Sequence, residues 1–228
     1  MAKSTSDIQR DMAGNGSNIE ECAVILRPEP ITIVVPTLAP GPAEVAVQRN
    51  VACAGCRTIV DIVHDTKGEG FTRTVNRGLR RASTDYVCIL NDDVESYTDD
   101  WLAKLRDAIH GMPGLIAAGP SGPCKTTPQN TGIPGAPYGV IPVSHLAFFC
   151  VVLKMHVLEE VGFLDEDFTH GGSDVFMCWA ARKLGYVPVW ARHIYVAHTV
   201  HEHRADWHRA DQQTLKRKLI ELNRRDNT

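Results

Sequence analysis

Asp85-Tyr86-Val87-Cys88-Ile89-Leu90-Asn91-Asp92-Asp93-Val94-Glu95-Ser96 is the stretch around which the 228-residue chain is organised. Tyr86 to Leu90 is a short apolar run with β-branched and aromatic members, the length of a buried strand. It stops abruptly at Asn91-Asp92-Asp93. In open α/β sheets, side chains at the end of a buried strand face the crevice where ligands bind. Adjacent carboxylates repel, so two together call for a cation or solvent to offset the charge. Mg²⁺ and Mn²⁺ suit such oxygen ligands and commonly bridge to phosphates. Asn and Asp also favour turns and helix N-caps, so a plain turn is the other reading of the triplet.

Working outward, apolar runs and helical patterns alternate. Ile31 to Val35 reads as a buried strand ended by Pro36-Thr37, and Pro42 can open a helix to about Ala52. Thr58 to Val63 is a second strand. Phe71, Val75, Leu79 and Ala82 share one helical face, with Arg73, Arg77, Arg80 and Arg81 mostly off it as a solvated surface. Thr98-Asp99 can cap a helix carrying Trp101, Leu102, Leu105 and Ile109. Strands are expected over Leu115 to Ala118, Leu146 to Leu153 and Val187 to Arg192, and helices over Met155 to Val161 and Asp174 to Leu184. Residues 119–142 are rich in Pro, Gly and Thr, a connection long enough to be functional or mobile. Residues 1–20 read as a loose polar tail. A charged helix over residues 206–225 has Trp207, Leu215, Leu219 and Leu222 available for docking. The alternation predicts a layered α/β fold.

Composition narrows the function. A formal charge of −3 argues against general attraction to nucleic acid. No run reaches the ~18 apolar residues of a membrane span, and no signal-peptide core is present. Seven widely spread cysteines point to a reducing, cytoplasmic setting rather than a disulfide framework. Cys53-Ala54-Gly55-Cys56 supplies two thiols where a closed zinc site needs four, which favours buried thiols.

Several of these pieces fall in one family's order. The chain resembles the family 2 glycosyltransferases of GT-A fold in Ile31 to Thr37, in Gly70-Phe71 through Asn76-Arg77-Gly78-Leu79, and in Leu90-Asn91-Asp92-Asp93. The likeness continues through Trp101-Leu102, Val161 to Phe168, Gly171-Gly172-Ser173-Asp174, Gly185-Tyr186 and His198. It implies a Rossmann-like layered fold with a central, mostly parallel sheet over residues 29–203, and a C-terminal helix docked on it. It also implies Mn²⁺ or Mg²⁺ and a nucleotide-diphospho-sugar donor, with a hydroxyl acceptor on a glycan, protein or lipid. By similarity, Asp93 and His198 hold the metal, Pro36, Thr37, Asp65, Asn76 and Asp92 bind the donor, and Asp174 is the catalytic base. The chemistry suits these residue types: a cation stabilises a departing diphosphate, and a carboxylate on the opposite face takes the attacking hydroxyl's proton. Without the resemblance, Asp174 reads as a helix N-cap.

The chain also departs from the family. Ser173 stands where an acid is usual, Phe176 where a second acid is common, and the turn after the second strand is short, leaving Asp61 as a rival to Asp65. No carboxy-terminal element of processive synthases is present, so transfer of one sugar is expected. The competing expectation is a non-catalytic module of the same fold that binds a nucleotide or glycan.

Overall fold

The computed structural model describes residues 29–124, 127–199 and 205–224. The tail over residues 1–20, His201, His203, and the side chains of Trp207 and His208 lie outside the described residues. In chain order the elements are β1 (Ile31–Thr37), α1 (Pro40–Ala52), β2 (Thr58–His64), α2 (Phe71–Leu79), β3 (Tyr86–Leu90), β4 (Val94–Ser96) and α3 (Trp101–Asp107). There follow β5 (Leu115–Ser121), a 3-10 turn at Pro128–Thr131, β6 (Val140–Pro142), β7 (Cys150–Lys154), α4 (Met155–Val161), α5 (Ser173–Lys183), β8 (Val187–His198) and α6 (Ala205–Arg224).

The sheet order is β2-β1-β3-β7-β5-β8-β4, with β6 beside β8. β2, β1, β3, β5 and β8 run one way and β7, β4 and β6 oppose them, so the sheet is mostly parallel. The inner strands are apolar throughout because both faces are covered. Along β1, Ile31, Ile33 and Val35 join one core with Trp101, Leu102 and Leu105 of α3, while Val34 joins the other with Val75 and Leu79 of α2. This is the period of two expected of a strand.

Helix α2 lies unusually close to the sheet. A Cβ on Gly78 would sit 2.4 Å from Val34 Cγ1 and 2.9 Å from Val63 Cγ2. Alanine is the better helix former by about 1 kcal/mol, but overpacking a closed core costs about 1–3 kcal/mol. Gly78→Ala is therefore expected to lower the urea midpoint at unchanged m. An unchanged midpoint would show that the helix can move out without penalty.

Four elements differ from expectation. β8 continues past Arg192 to His198, because its second half leaves β5 for β4. The strand expected from Leu146 begins only at Cys150; Leu146 and Phe148 are buried, but in a loop, where apolar composition imitates a strand. Helix α3 is not capped by Thr98 or Asp99: its N-cap is Asp100, with no capping hydrogen bond. The Thr98 hydroxyl instead accepts from Tyr195 N–H, and the Trp101 indole N–H donates to Asn50 O. Helix α6 docks less through its half-buried leucines than through polar groups, a buried Asp211 and Lys218, which pairs with Asp165 and Asp167.

Candidate active site

The acidic triplet forms a tight turn at the end of β3. Asn91 N–H donates to Phe149 O (2.8 Å) and Val94 N–H to Asn91 O (3.3 Å), and the chain enters β4 at once. Val94 pairs with His198, the last residue of β8, and that pairing brings the imidazole to the triplet. His198 Nε2 lies 3.4 Å from Asp93 Oδ1 and 3.3 Å from Asn91 Nδ2. The Phe149 ring stacks on the imidazole with centroids 4.9 Å apart and planes 11° from parallel. The turn reading and the ligand reading of the triplet thus hold together, since the turn is what presents Asp93 to His198.

This donor set fits a hard divalent ion. His198 Nε2 lies between the Asn91 amide nitrogen and the Asp93 carboxylate, and the tautomer decides whether it accepts from the first or donates to the second. With Nε2 unprotonated, the nitrogen and the carboxylate oxygen together offer a ligand pair to a cation. Asn91 Oδ1 and His198 Nδ1 are both buried without a hydrogen-bond partner, which marks the pocket as polar and under-satisfied. Among the described residues no cluster of three or more His, Cys, Asp or Glu side chains could hold a metal. Two protein ligands leave positions for phosphate oxygens, the usual arrangement for ions that bind with a nucleotide. Cys53 and Cys56 are not in a disulfide, and burial pushes both thiols up.

The adjoining end of β1 carries Pro36 and Thr37. The Thr37 hydroxyl donates to Asp92 Oδ2 at 2.5 Å and accepts from Ala39 N–H, tying β1 to β3. Asp65, at the end of β2, is buried and accepts three backbone N–H groups, from Lys67 (3.3 Å), Glu69 (2.9 Å) and Gly70 (2.9 Å). Burial opposes its ionisation, but those amides and the Arg77 charge outweigh it and hold the carboxyl below its ordinary range. Asp65 thus organises the short turn into α2. Asp61, its rival, lies in a bidentate exposed pair with Arg81 instead.

Asn76 takes a different place from the expected one. It is fully buried, with Nδ2 donating to Leu164 O (2.8 Å) and Glu166 Oε1 (2.9 Å), and Oδ1 accepting from Leu164 N–H (3.2 Å). Its amide joins α2 to the loop before α5 and has no group left for a donor.

Asp174 lies in the first turn of α5, and the helix is capped by Gly172, at φ 91°, rather than by Asp174. Asp174 Oδ1 accepts from Val175 N–H at 2.8 Å. Burial pushes its carboxyl above the ordinary carboxylate range, with the amides of Val175 and Phe148 and the charge of His145 acting the other way. A half-buried carboxylate with a raised pKa suits a general base. Phe148 touches Asp174 through its amide, and Phe149 touches Asn91 and His198 through its carbonyl and ring. Two consecutive residues thus separate the candidate base from the candidate metal pair. Phe149 and His145 went unnoticed in the sequence, where Leu146 to Leu153 looks like an ordinary strand.

Ser173, where the family pattern has an acid, is buried, and its Oγ accepts from the Thr72 hydroxyl at 3.1 Å. The connection over residues 119–142 is anchored in its first half. Gln129 is fully buried, donating to Pro120 O and accepting from Ala147 N–H, while Ile133 and Tyr138 are exposed. Two cavities, of about 500 and 440 Å³, lie elsewhere, one between α1 and β2 and the other at the opposite end of β3 beside Lys154 and His156.

The layered sheet, with an acidic turn at the end of β3 facing a histidine and a helix-borne carboxylate beside it, defines a protein of GT-A fold. Similar solved structures carry the same fold. A mannosyltransferase from Pyrobaculum calidifontis in complex with GDP-Man and Mn²⁺ superposes with a TM-score of 0.61 at 16% identity, covering 86% of this chain and 64% of that one. GalNAc-T7 with UDP, GalNAc and Mn²⁺ gives a TM-score of 0.59 at 12% identity, covering 75% and 44%. The description of Glycosyl transferase family 2 matches residues 53–132. The pre-mycofactocin glycosyltransferase of Mycobacterium tuberculosis is 24% identical over 172 residues, 67% of this chain and 35% of that protein. The chain spans between 17% and 35% of the length of the curated relatives it matches. The match to the family 2 glycosyl transferases covers 80 of the 228 residues of this chain.

Proposed function

We propose that the chain is an inverting glycosyltransferase that moves one sugar from a nucleotide-diphospho-sugar to a hydroxyl acceptor with the help of Mn²⁺ or Mg²⁺. The observation that carries this reading is the pairing of Asp93 with His198, linked to Asp174 through the consecutive residues Phe148 and Phe149. Asp93 and His198 would hold the ion, which supplies positive charge to the departing diphosphate when bound. Thr37 fixes Asp92 at the head of the site, and Pro36 and Asp65 shape the adjoining nucleoside end. Asp174 takes the proton of the acceptor hydroxyl as its oxygen attacks the anomeric carbon. The bond from that carbon to the diphosphate oxygen breaks on the far face, its electron pair leaving with the nucleoside diphosphate.

The named activity of the mycobacterial relative and the nucleotide sugar and Mn²⁺ of the similar structures support the same reading. A glycan, protein or lipid hydroxyl is the acceptor class, and nucleic acid is not a partner. No helix among the described residues is long and apolar enough to cross a membrane. A reducing, cytoplasmic setting is part of the same proposal and rests on the odd number and wide spread of the seven cysteines in the sequence.

The test is thermal denaturation with UDP-, GDP- and dTDP-sugars, each with and without Mn²⁺. Binding at about a hundred times Kd stabilises by about 2.7 kcal/mol, which raises Tm by roughly 5–10 °C for a domain of this size. The rise should require both nucleotide sugar and metal. A set of melts indistinguishable from metal alone would remove the donor from the proposal.

A further inference from the structure

We propose that Asp211, on the C-terminal helix α6, is a positioning residue that sets the conformation of the segment carrying Asp174. This deepens the proposed function and rests on Asp174 being the base. Asp211 is only 5% exposed, and its carboxylate faces three successive backbone amides of one loop. Oδ1 accepts from Thr169 N–H at 3.0 Å, and Oδ2 from both His170 N–H and Gly171 N–H at 2.9 Å. A buried carboxylate is tolerable only when its charge is met by such donors. Consecutive amides turned toward one anion are in turn a backbone conformation that the anion holds in place.

Two residues, Gly172 and Ser173, separate Gly171 from Asp174. Gly172 makes the bend at φ 91°, where a Cβ would come within 3.1 Å of the Phe168 ring. On its other side the same segment is gripped by α2. Thr72 N–H donates to Thr169 O (3.2 Å), the Thr72 hydroxyl donates to Ser173 Oγ (3.1 Å), and the backbone of Gly70 closes on Thr169, leaving no space for a Cβ. Gly70 N–H is itself held by Asp65. Two buried carboxylates, Asp65 and Asp211, therefore shape two loops that touch at Gly70 and Thr169, and Asp174 projects from the second.

The test compares Asp211→Asn, Asp211→Ala and Lys218→Gln. Asn is nearly isosteric but replaces one acceptor oxygen with an NH₂ group, so at least one of the three amides loses its partner. Lys218→Gln weakens the same helix's docking to Asp165 and Asp167 and leaves the Asp211 contacts alone. Three readouts are taken on each protein: amide exchange over residues 169–175, affinity for UDP and GDP with Mn²⁺, and release of nucleoside diphosphate from a nucleotide sugar with water as acceptor. Losing a hydrogen bond to a charged group should speed exchange at 169–171 by about tenfold or more in both Asp211 variants. Turnover should fall by a similar factor, with nucleotide affinity and KM for donor unchanged, whereas Lys218→Gln should lower Tm and leave turnover intact.

Unchanged exchange in Asp211→Asn overturns the proposal. So does raised exchange with undiminished turnover, or an equal loss of turnover in Lys218→Gln, which would make Asp211 one docking contact among several. If the wild type releases no nucleoside diphosphate from any donor, it is the transferase assignment that fails. The titration of the Asp174 carboxyl by ¹³C NMR then decides for Asp211: a shift between wild type and Asp211→Asn supports positioning, and coincident curves reject it.

Discussion

Asp174→Asn is expected to lower sugar transfer by about 10²-fold or more, the usual scale for a positioned general base, while donor affinity stays near that of the wild type. Asn preserves size and can still accept from Val175 N–H, but it cannot take a proton. The stability of this variant should move the opposite way to its activity. Asp174 has its carboxyl raised in the folded protein by burial. Folding therefore favours the protonated acid, and the stability this group contributes is present at low pH and lost as pH rises through the raised folded value. At neutral pH the charged carboxylate is a burden that Asn lacks, so Asp174→Asn should melt no lower than wild type and somewhat higher. Transfer measured beside a melt on one preparation checks both limbs. Near-normal transfer would remove Asp174 as base, and a lower melt would show that its charge is satisfied by contacts we have underweighted.

Asp93→Ala is expected to abolish Mn²⁺-dependent binding of nucleotide sugar. The loss should be in binding rather than folding, because Asp93 is partly exposed and its contact with His198 joins two groups that both lie near the surface. His198 alone cannot offset the charge of a diphosphate, and the site would lose the carboxylate that lies against that histidine. Calorimetric titration with UDP- or GDP-sugar in Mn²⁺ should give no measurable heat of binding in the variant. Full metal-dependent binding would place the ion elsewhere, with Asp92 the first alternative. Asp92 is the weaker candidate because one of its oxygens is already engaged by Thr37 at 2.5 Å.

The parts of the fold that were legible in the sequence are those where composition changes sharply. Tyr86 to Leu90 begins after Asp85 and ends at Asn91, and β3 has those limits. Met155 to Val161 likewise ends at Gly162, which adopts the left-handed conformation that glycine favours. What stayed hidden depends on partners distant in sequence. β4 is three residues long and pairs only where β8 extends to meet it, so Val94-Glu95-Ser96 did not look like a strand, and the continuation beyond Arg192 read as part of a His-rich stretch although its Ile194 and Val196 are buried. That same pairing creates the contact between Asp93 and His198; the sequence suggested it only through the family resemblance.

Asn76 shows the reverse error. A polar side chain in a family motif invites a ligand role, yet here both ends of its amide are consumed by Leu164 and Glu166. Nothing local to Asn76 distinguishes a buried pin from a cleft residue. Asp211 was equally invisible, one acid among many charges on a helix, because the amides that need it lie some forty residues upstream. Ser173, the departure that favoured a non-catalytic module, is buried and accepts from Thr72, a structural role that weighs neither for nor against catalysis.

Crystals soaked with Mn²⁺ and the nucleotide sugar that gives the largest thermal shift provide the most direct measurement. The account predicts one anomalous manganese peak between Asp93 and His198, with the diphosphate against it and the Asp174 carboxylate on the sugar side. A nucleotide bound without metal, or a manganese peak away from that pair, would contradict it.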